Sequence, residues 1–281
     1  MQLNLLNTEF IIMNRFILLY LNQKHKIFTK NTLMKKIIAF SNQKGGVGKT
    51  TAVINLGAAL AQSKKKVLLI DLDPQSHLSQ SLGHRNAQGG VYNALQGDEF
   101  TIQSINKNLS LLPSCADLAA AEVSLASEPG GQGILREVLE KIKDDYDFIF
   151  IDCPPSLGLL TLNAFTAADG LLIPLQAHFL ALSGMAQLVE HHKKIKSRLN
   201  PQLELIGVLL TFYDKRKTLY KSIRDSAEKA FPGRVFQTAI RDNVSLAEAP
   251  SQGTHIFEYA PKSNGAIDYL AAAKEFIKLS K

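Results

Sequence analysis

The eight residues KGGVGKTT, Lys44–Thr51, decide the fold. They follow the short apolar run Ile37–Phe40 and open a helical pattern over 50–63, with Val53, Leu56, Gly57 and Leu60 on one face. Glycines let successive backbone N–H groups turn toward an anion without Cβ clashes, and a helix N-terminus adds partial positive charge. In such a loop Lys49 is expected to reach β- and γ-phosphates and the Thr50 hydroxyl to ligate Mg²⁺. The spacing departs from G-x-x-x-x-G-K-[ST], which would place glycine where the chain has Gln43. A second lysine, Lys44, stands directly before Gly45–Gly46 instead. A lysine at the mouth of the loop points away from its own cradle, and is useful if it reaches a nucleotide held by another subunit.

Two acidic motifs accompany the loop. Asp71 and Asp73 end the run VLLIDLD, and Asp152 ends FIFID. Carboxylates at the carboxyl ends of parallel strands sit where open α/β sheets bind ligands. One is expected to hold Mg²⁺, directly or through water, and another to orient an attacking water.

Working outward, Val67–Leu72, Leu109–Leu112, Phe148–Ile151, Leu171–Leu175 and Leu205–Thr211 are further strand-like runs. Between and after them Ile134–Lys143, Leu182–Leu199 and Ala266–Leu279 have helical patterns. Continuous apolar runs suit strands buried on both faces, and their alternation with helices predicts an α/β fold. The expected architecture is a mostly parallel twisted sheet with helices on both faces, a P-loop NTPase.

Composition agrees. Of 281 residues 46% are hydrophobic and 20% charged, too apolar for a disordered chain. No run of about 18 apolar residues marks a transmembrane helix. Two cysteines, Cys115 and Cys153, cannot build a disulfide framework and predict reduced thiols. The net charge of +7 permits an anionic partner without demanding one. Residues 1–33 differ from the rest, with five Asn and four basic residues against one acidic residue, which leaves +4 for 34–281. They read as an N-terminal extension, disordered or upstream of the true start, with Asn14 and Arg15 breaking the apolar stretch that a signal peptide would need.

Together these residues resemble the ParA/Soj partition ATPases, within the deviant-Walker-A family that also contains MinD. The matching pieces are NQKGGVGKTT (Asn42–Thr51), VLLIDLDPQ (Val67–Gln75), IDCPPSLGLLTLNA (Ile151–Ala164), GVLLT (Gly207–Thr211) and LAEAPSQG (Leu246–Gly253). The resemblance covers 34–281 and implies one ParA-like ATPase domain there. It implies that Lys44 contacts the ATP of a partner subunit, and that Gly45, Gly46, Val47, Gly48, Lys49, Thr50 and Thr51 cradle phosphate. It implies Thr50, Asp71 and Asp152 around the metal, Asp73 positioning the hydrolytic water, and adenine near Phe212 and 240–244, with Arg241 and Asn243. ATP and Mg²⁺ are the implied cofactors. The implied partners are a second copy in an ATP-bound homodimer, non-specific DNA, and a ParB-like stimulating protein. The implied setting is cytoplasmic and nucleoid-associated, without stable membrane association.

One departure concerns DNA. Many partition ATPases read P-R-N-V-R where this chain has Arg241–Ser245, RDNVS, so two arginine positions hold Asp242 and Ser245. Lys215, Arg216, Lys217, Lys221 and Arg224 lie close by in sequence as candidate DNA contacts, Arg216 matching best. Phosphate contacts of this kind give salt-dependent binding without sequence reading. The departure leaves an alternative, a positioning ATPase whose cargo is a protein assembly or a membrane. Cys153 directly follows the acidic motif without a C-x-x-C, adjacent His191–His192 cannot share a helix face, and the closing helix suits docking on the core.

Overall fold

The computed structural model describes residues 36–85, 89–176, 190, 192–214 and 216–281. The extension expected at 1–33 lies outside the described residues. So does half of the helix expected over 182–199, of which 190 and 192–198 are helical.

The core is a seven-stranded sheet: β1 (Ile37–Phe40), β2 (Val67–Asp71), β3 (Gln103–Asn106), β4 (Leu109–Leu112), β5 (Phe148–Asp152), β6 (Gly170–Gln176) and β7 (Glu204–Thr211). Their order is β3-β4-β2-β5-β1-β6-β7. Every neighbouring pair is parallel except β3 with β4. The helices are α1 (Lys49–Gln62), α2 (His77–Ser81), α3 (Val91–Gln96), α4 (Leu118–Ala126), α5 (Ile134–Glu140), α6 (Leu159–Ala167), α7 (Thr218–Ala230), α8 (Val244–Glu248), α9 (Ile256–Tyr259) and α10 (Asn264–Leu279).

Side chains alternate across the central strands, as a pleated strand requires. Ile37, Ala39, Leu68, Ile70, Ile149 and Ile151 belong to a core that includes Leu118, Leu135, Leu139 and Leu160 of α4, α5 and α6. The intervening Phe148 and Phe150 meet Phe276 of α10 edge-on, each with ring centroids 5.4 Å apart. On α1, a Cβ added at Gly57 would come within 2.7 Å of Leu69, so glycine there lets the helix lie close on β2. The Ser263 side chain caps α10 by accepting from Ala266 N at 3.2 Å. That helix docks on the core, with Ala266, Tyr269, Ala272, Ala273 and Phe276 buried. No described helix is long and apolar enough to cross a membrane.

Six of the seven strands match the apolar runs of the sequence. The seventh, β3, is the four-residue edge strand QSIN, whose alternating half-buried and exposed residues carry no apolar run.

Candidate nucleotide site

The strands converge on one edge. Phe40 and Asp71 each pair in register with Asp152, so β1, β5 and β2 end side by side. The loop 41–48 leaves β1 there and turns into α1. Asn42 pins its start, donating from Nδ2 to Pro174 O at 2.8 Å while its Oδ1 accepts Lys44 N at 3.0 Å. Thr211, at the end of β7, pins its far side by donating to Val47 O at 2.8 Å. Gly46 and Gly48 take φ of 73° and 81°, left-handed conformations that favour glycine. Lys49 is the first residue of α1 and is buried.

Thr50 Oγ1 donates to Asp152 Oδ2 at 2.7 Å. The other oxygen, Asp152 Oδ1, is buried and has no hydrogen-bond partner among the described residues. Burial, then the charge of Asp71, pushes the Asp152 carboxyl up to about 8, against the pull of the Thr50 hydrogen bond and the Lys49 charge. A buried, unsatisfied carboxylate oxygen beside a threonine hydroxyl is a set of hard oxygen donors that fits Mg²⁺.

Asp71, expected around the metal, has both carboxylate oxygens engaged within the fold. Its Oδ2 accepts both Ser79 N at 2.8 Å and Ser79 Oγ at 2.6 Å, and its Oδ1 accepts Asp73 N at 3.3 Å. It is fully buried, its carboxyl is raised to about 6 mainly by burial, and through Ser79 it ties α2 to β2. Asp73 stands two residues beyond, its Oδ1 accepting Gln75 N at 2.9 Å.

Gly45, Gly46, Lys49, Thr50, Asp73 and Phe212 help to line a cavity of about 540 Å³. Lys44 is exposed and is not among the residues lining it. A smaller cavity of about 250 Å³ adjoins it through Gly48, Thr51, Phe212 and Leu246, with Ile240, Arg241, Asn243 and Tyr269 in its wall. The residues expected to contact adenine, Phe212, Arg241 and Asn243, all line this smaller cavity. Phe212 adopts φ 51°, an uncommon left-handed conformation for a phenylalanine, at the junction of the two cavities. Cys153 is buried, and burial pushes its thiol far up, so it is an inert packing residue.

The candidate DNA bases meet a different fate. Lys215 lies outside the described residues. Lys217 and Lys221 are exposed. Arg216 is 83% exposed, yet its guanidinium grips Asp214 through Nε and Nη2, each at 2.9 Å. The Arg216 hydrogen bonds hold the Asp214 carboxyl down at about 2. Arg224 donates to Phe236 O at 3.0 Å and Gln237 O at 3.2 Å. Arg241 is held by Asp268, at 2.6 Å from Nη2. Arg216, Lys217, Arg224, Arg241 and Asp242 nonetheless line one open groove of about 870 Å³. Arginine positions alone therefore overstate the base available to phosphate, because three of the guanidiniums already have protein partners.

Asn42, Ser79, Ser114, Thr211 and Asp268 also brace the site. Only Asn42 and Thr211 lie inside motifs legible in the sequence; the others carry no local signal.

The AAA domain family AAA_31 matches residues 35–205. The chain is 46% identical over 240 residues to the chromosome-partitioning ATPase Soj of Thermus thermophilus, covering 85% of this chain and 94% of that one. It is 42% identical over 249 residues to the chromosome partitioning protein ParA of Myxococcus xanthus, covering 86% and 88%. Among solved structures it resembles cobyrinic acid a,c-diamide synthase from Mycobacterium smegmatis with bound ADP and magnesium, with TM-score 0.75, 36% identity and coverage of 86% and 93%.

Proposed function

The chain belongs to the ParA/Soj family of partition ATPases, and from that premise we propose that it is an ATP-driven dimerisation switch. ATP and Mg²⁺ are its ligands, ATP is hydrolysed slowly, and the ATP-bound dimer dwells on DNA without sequence preference during chromosome or plasmid partition. The protein works in the cytoplasm on the nucleoid, and a ParB-like partner stimulates turnover. Residues 34–281 form the working domain.

The observation that carries this reading is the pair of lysines. Lys49 is buried inside the cradle, whereas Lys44 is exposed at its mouth and does not line its own cavity. A nucleotide that needs a lysine from the facing subunit stabilises the dimer only while its γ-phosphate is present. Within one subunit, the backbone N–H groups of Gly45–Thr51 and the Lys49 ammonium hold the phosphates. Thr50 and Asp152 hold Mg²⁺, which spreads the charge of the transferred group when bound. Asp73 orients the attacking water. A small-molecule synthetase needs no such lysine, which sets this reading apart from the activity named for the Mycobacterium smegmatis enzyme.

Two expected results test the switch. Lys44→Ala is expected to stay monomeric with ATP in light-scattering measurements while binding the nucleotide normally; a stable ATP dimer would remove the lysine's role in trans. Retention on DNA is expected with ATP and not with ADP, and is expected to weaken steeply between 50 and 200 mM salt, by roughly tenfold or more for even a few phosphate contacts. The engaged arginines Arg216 and Arg241 and the acid Asp242 favour a second reading, a positioning ATPase with a protein or membrane cargo. Absence of ATP-dependent DNA retention at low salt would select it.

A further inference from the structure

We propose that Ser114 is a positioning residue for ATP hydrolysis, acting through the backbone of Asp73. The proposal rests on the reading that Asp73 orients the attacking water. Ser114 lies just past the end of β4, 41 residues from Asp73, yet its Oγ donates to Asp73 O at 2.8 Å. Its own N–H donates to Ser79 Oγ at 3.0 Å. Ser79 Oγ donates in turn to Asp71 Oδ2 at 2.6 Å, and Asp71 Oδ1 accepts Asp73 N at 3.3 Å. The four residues close a ring that holds the Asp73 peptide at both its N–H and its C=O.

The ring is buried everywhere except at Asp73. Asp71 and Ser79 have no exposed surface and Ser114 has 3%. Asp73 alone lines the nucleotide cavity. The need for such a brace is local. Asp73 follows the last residue of β2 by two and precedes Ser76, which is held at φ 55°. No regular ladder fixes its backbone, so its course is set by these hydrogen bonds and by Ser76 N, which donates to Asp73 O at 2.9 Å, while Gln75 N holds the carboxylate through Oδ1 at 2.9 Å. Catalysis by positioning is sensitive to displacements of about 1 Å, which can cost on the order of 10²-fold in rate. The brace also joins two strand ends, β2 and β4, so the water-orienting segment is tied to the connection that leads into α4.

Steady-state ATP hydrolysis by the full chain tests the proposal. Ser114→Ala is expected to lower kcat about tenfold, with KM for ATP and the ATP-bound dimer kept, because Ser76 N still serves Asp73 O while the side chain drifts. Ser114→Thr, which restores the hydroxyl, is expected to recover most of the rate. In the Asp73→Ala background, Ser114→Ala is expected to change nothing further. Wild-type kcat in Ser114→Ala, or equal losses from alanine and threonine, would overturn the proposal. If Asp73→Ala itself turns over normally, the role given to Asp73 fails, an outcome distinct from a stalled Asp73→Ala beside an unaffected Ser114→Ala. Should Ser114→Ala not fold, Ser114→Cys carries the test: its weaker, longer thiol bond is expected to give an intermediate kcat, and wild-type kcat would overturn the proposal.

Discussion

Lys49→Ala is expected to bind ATP about 10² to 10⁴-fold more weakly than the native chain, from the loss of two charge-assisted hydrogen bonds at about 1.5–3 kcal/mol each. The size follows from burial. Lys49 is only 8% exposed, at the first turn of α1, so its side chain is largely shielded from water. It already acts on the neighbouring acid, since its charge is one of the two influences that pull the Asp152 carboxyl down. Without it, both the phosphates and the carboxylate lose a cation. Alanine is a strong helix former, so α1 is expected to persist and circular dichroism to be unchanged. Titration with ATP by calorimetry reads the loss, and native affinity in Lys49→Ala would remove the phosphate role from this loop. Lys49→Arg is expected to recover little, because a planar fork does not replace a compact ammonium in a closed loop.

The parts of this site that are contiguous in sequence were legible, and the parts closed by distant residues were not. The loop, the α1 start and the two acidic strand ends each announce themselves within ten residues. The central strands were legible because burial on both faces writes an unbroken apolar run. The helix α6 was not, because Leu160, Thr161, Asn163, Ala164, Phe165, Thr166 and Ala167 are all buried and leave no amphipathic stripe to recognise. β3 was missed for the opposite reason, being polar and at an edge.

Charge misled in an instructive way. Asp71 and Asp152 look equivalent at their strand ends, and only the fold reveals that Ser79 claims one while the other keeps a bare oxygen. Likewise Arg216 and Arg241 count as free base in the sequence. One is neutralised by a residue two positions away and the other by Asp268, 27 positions away. A charge run fixes how many cations a surface holds, whereas the acids folded against it fix how many are left for phosphate.

Asp152→Asn is expected to separate stability from function in opposite directions. In the unfolded chain both carboxyls have ordinary values near 3.8, whereas the fold lifts Asp71 to about 6 and Asp152 to about 8. The folded state therefore holds more protons than the unfolded state across that window. The stability linked to these groups is fully present below about pH 4 and is lost as pH rises through 6 and then 8. Asparagine at 152 cannot ionise and still offers an oxygen to Thr50 Oγ1. The metal-free variant is thus expected to be more stable than the native chain at pH 8, by on the order of a few kcal/mol, with a flatter dependence of Tm on pH. Mg²⁺ with nucleotide is expected to flatten the native curve as well, because a cation favours the charged carboxylate that burial opposes. Turnover is expected to fall by about 10³-fold in the variant, since the site then lacks the anionic oxygen that would hold the metal. Thermal melts from pH 5 to 9, with and without Mg²⁺ and ADP, measure the stability arm, and a metal-free Asp152→Asn less stable than the native chain at pH 8 would show that the Asp152 oxygen is satisfied in the folded protein. Native turnover in the same variant would move the metal to other ligands.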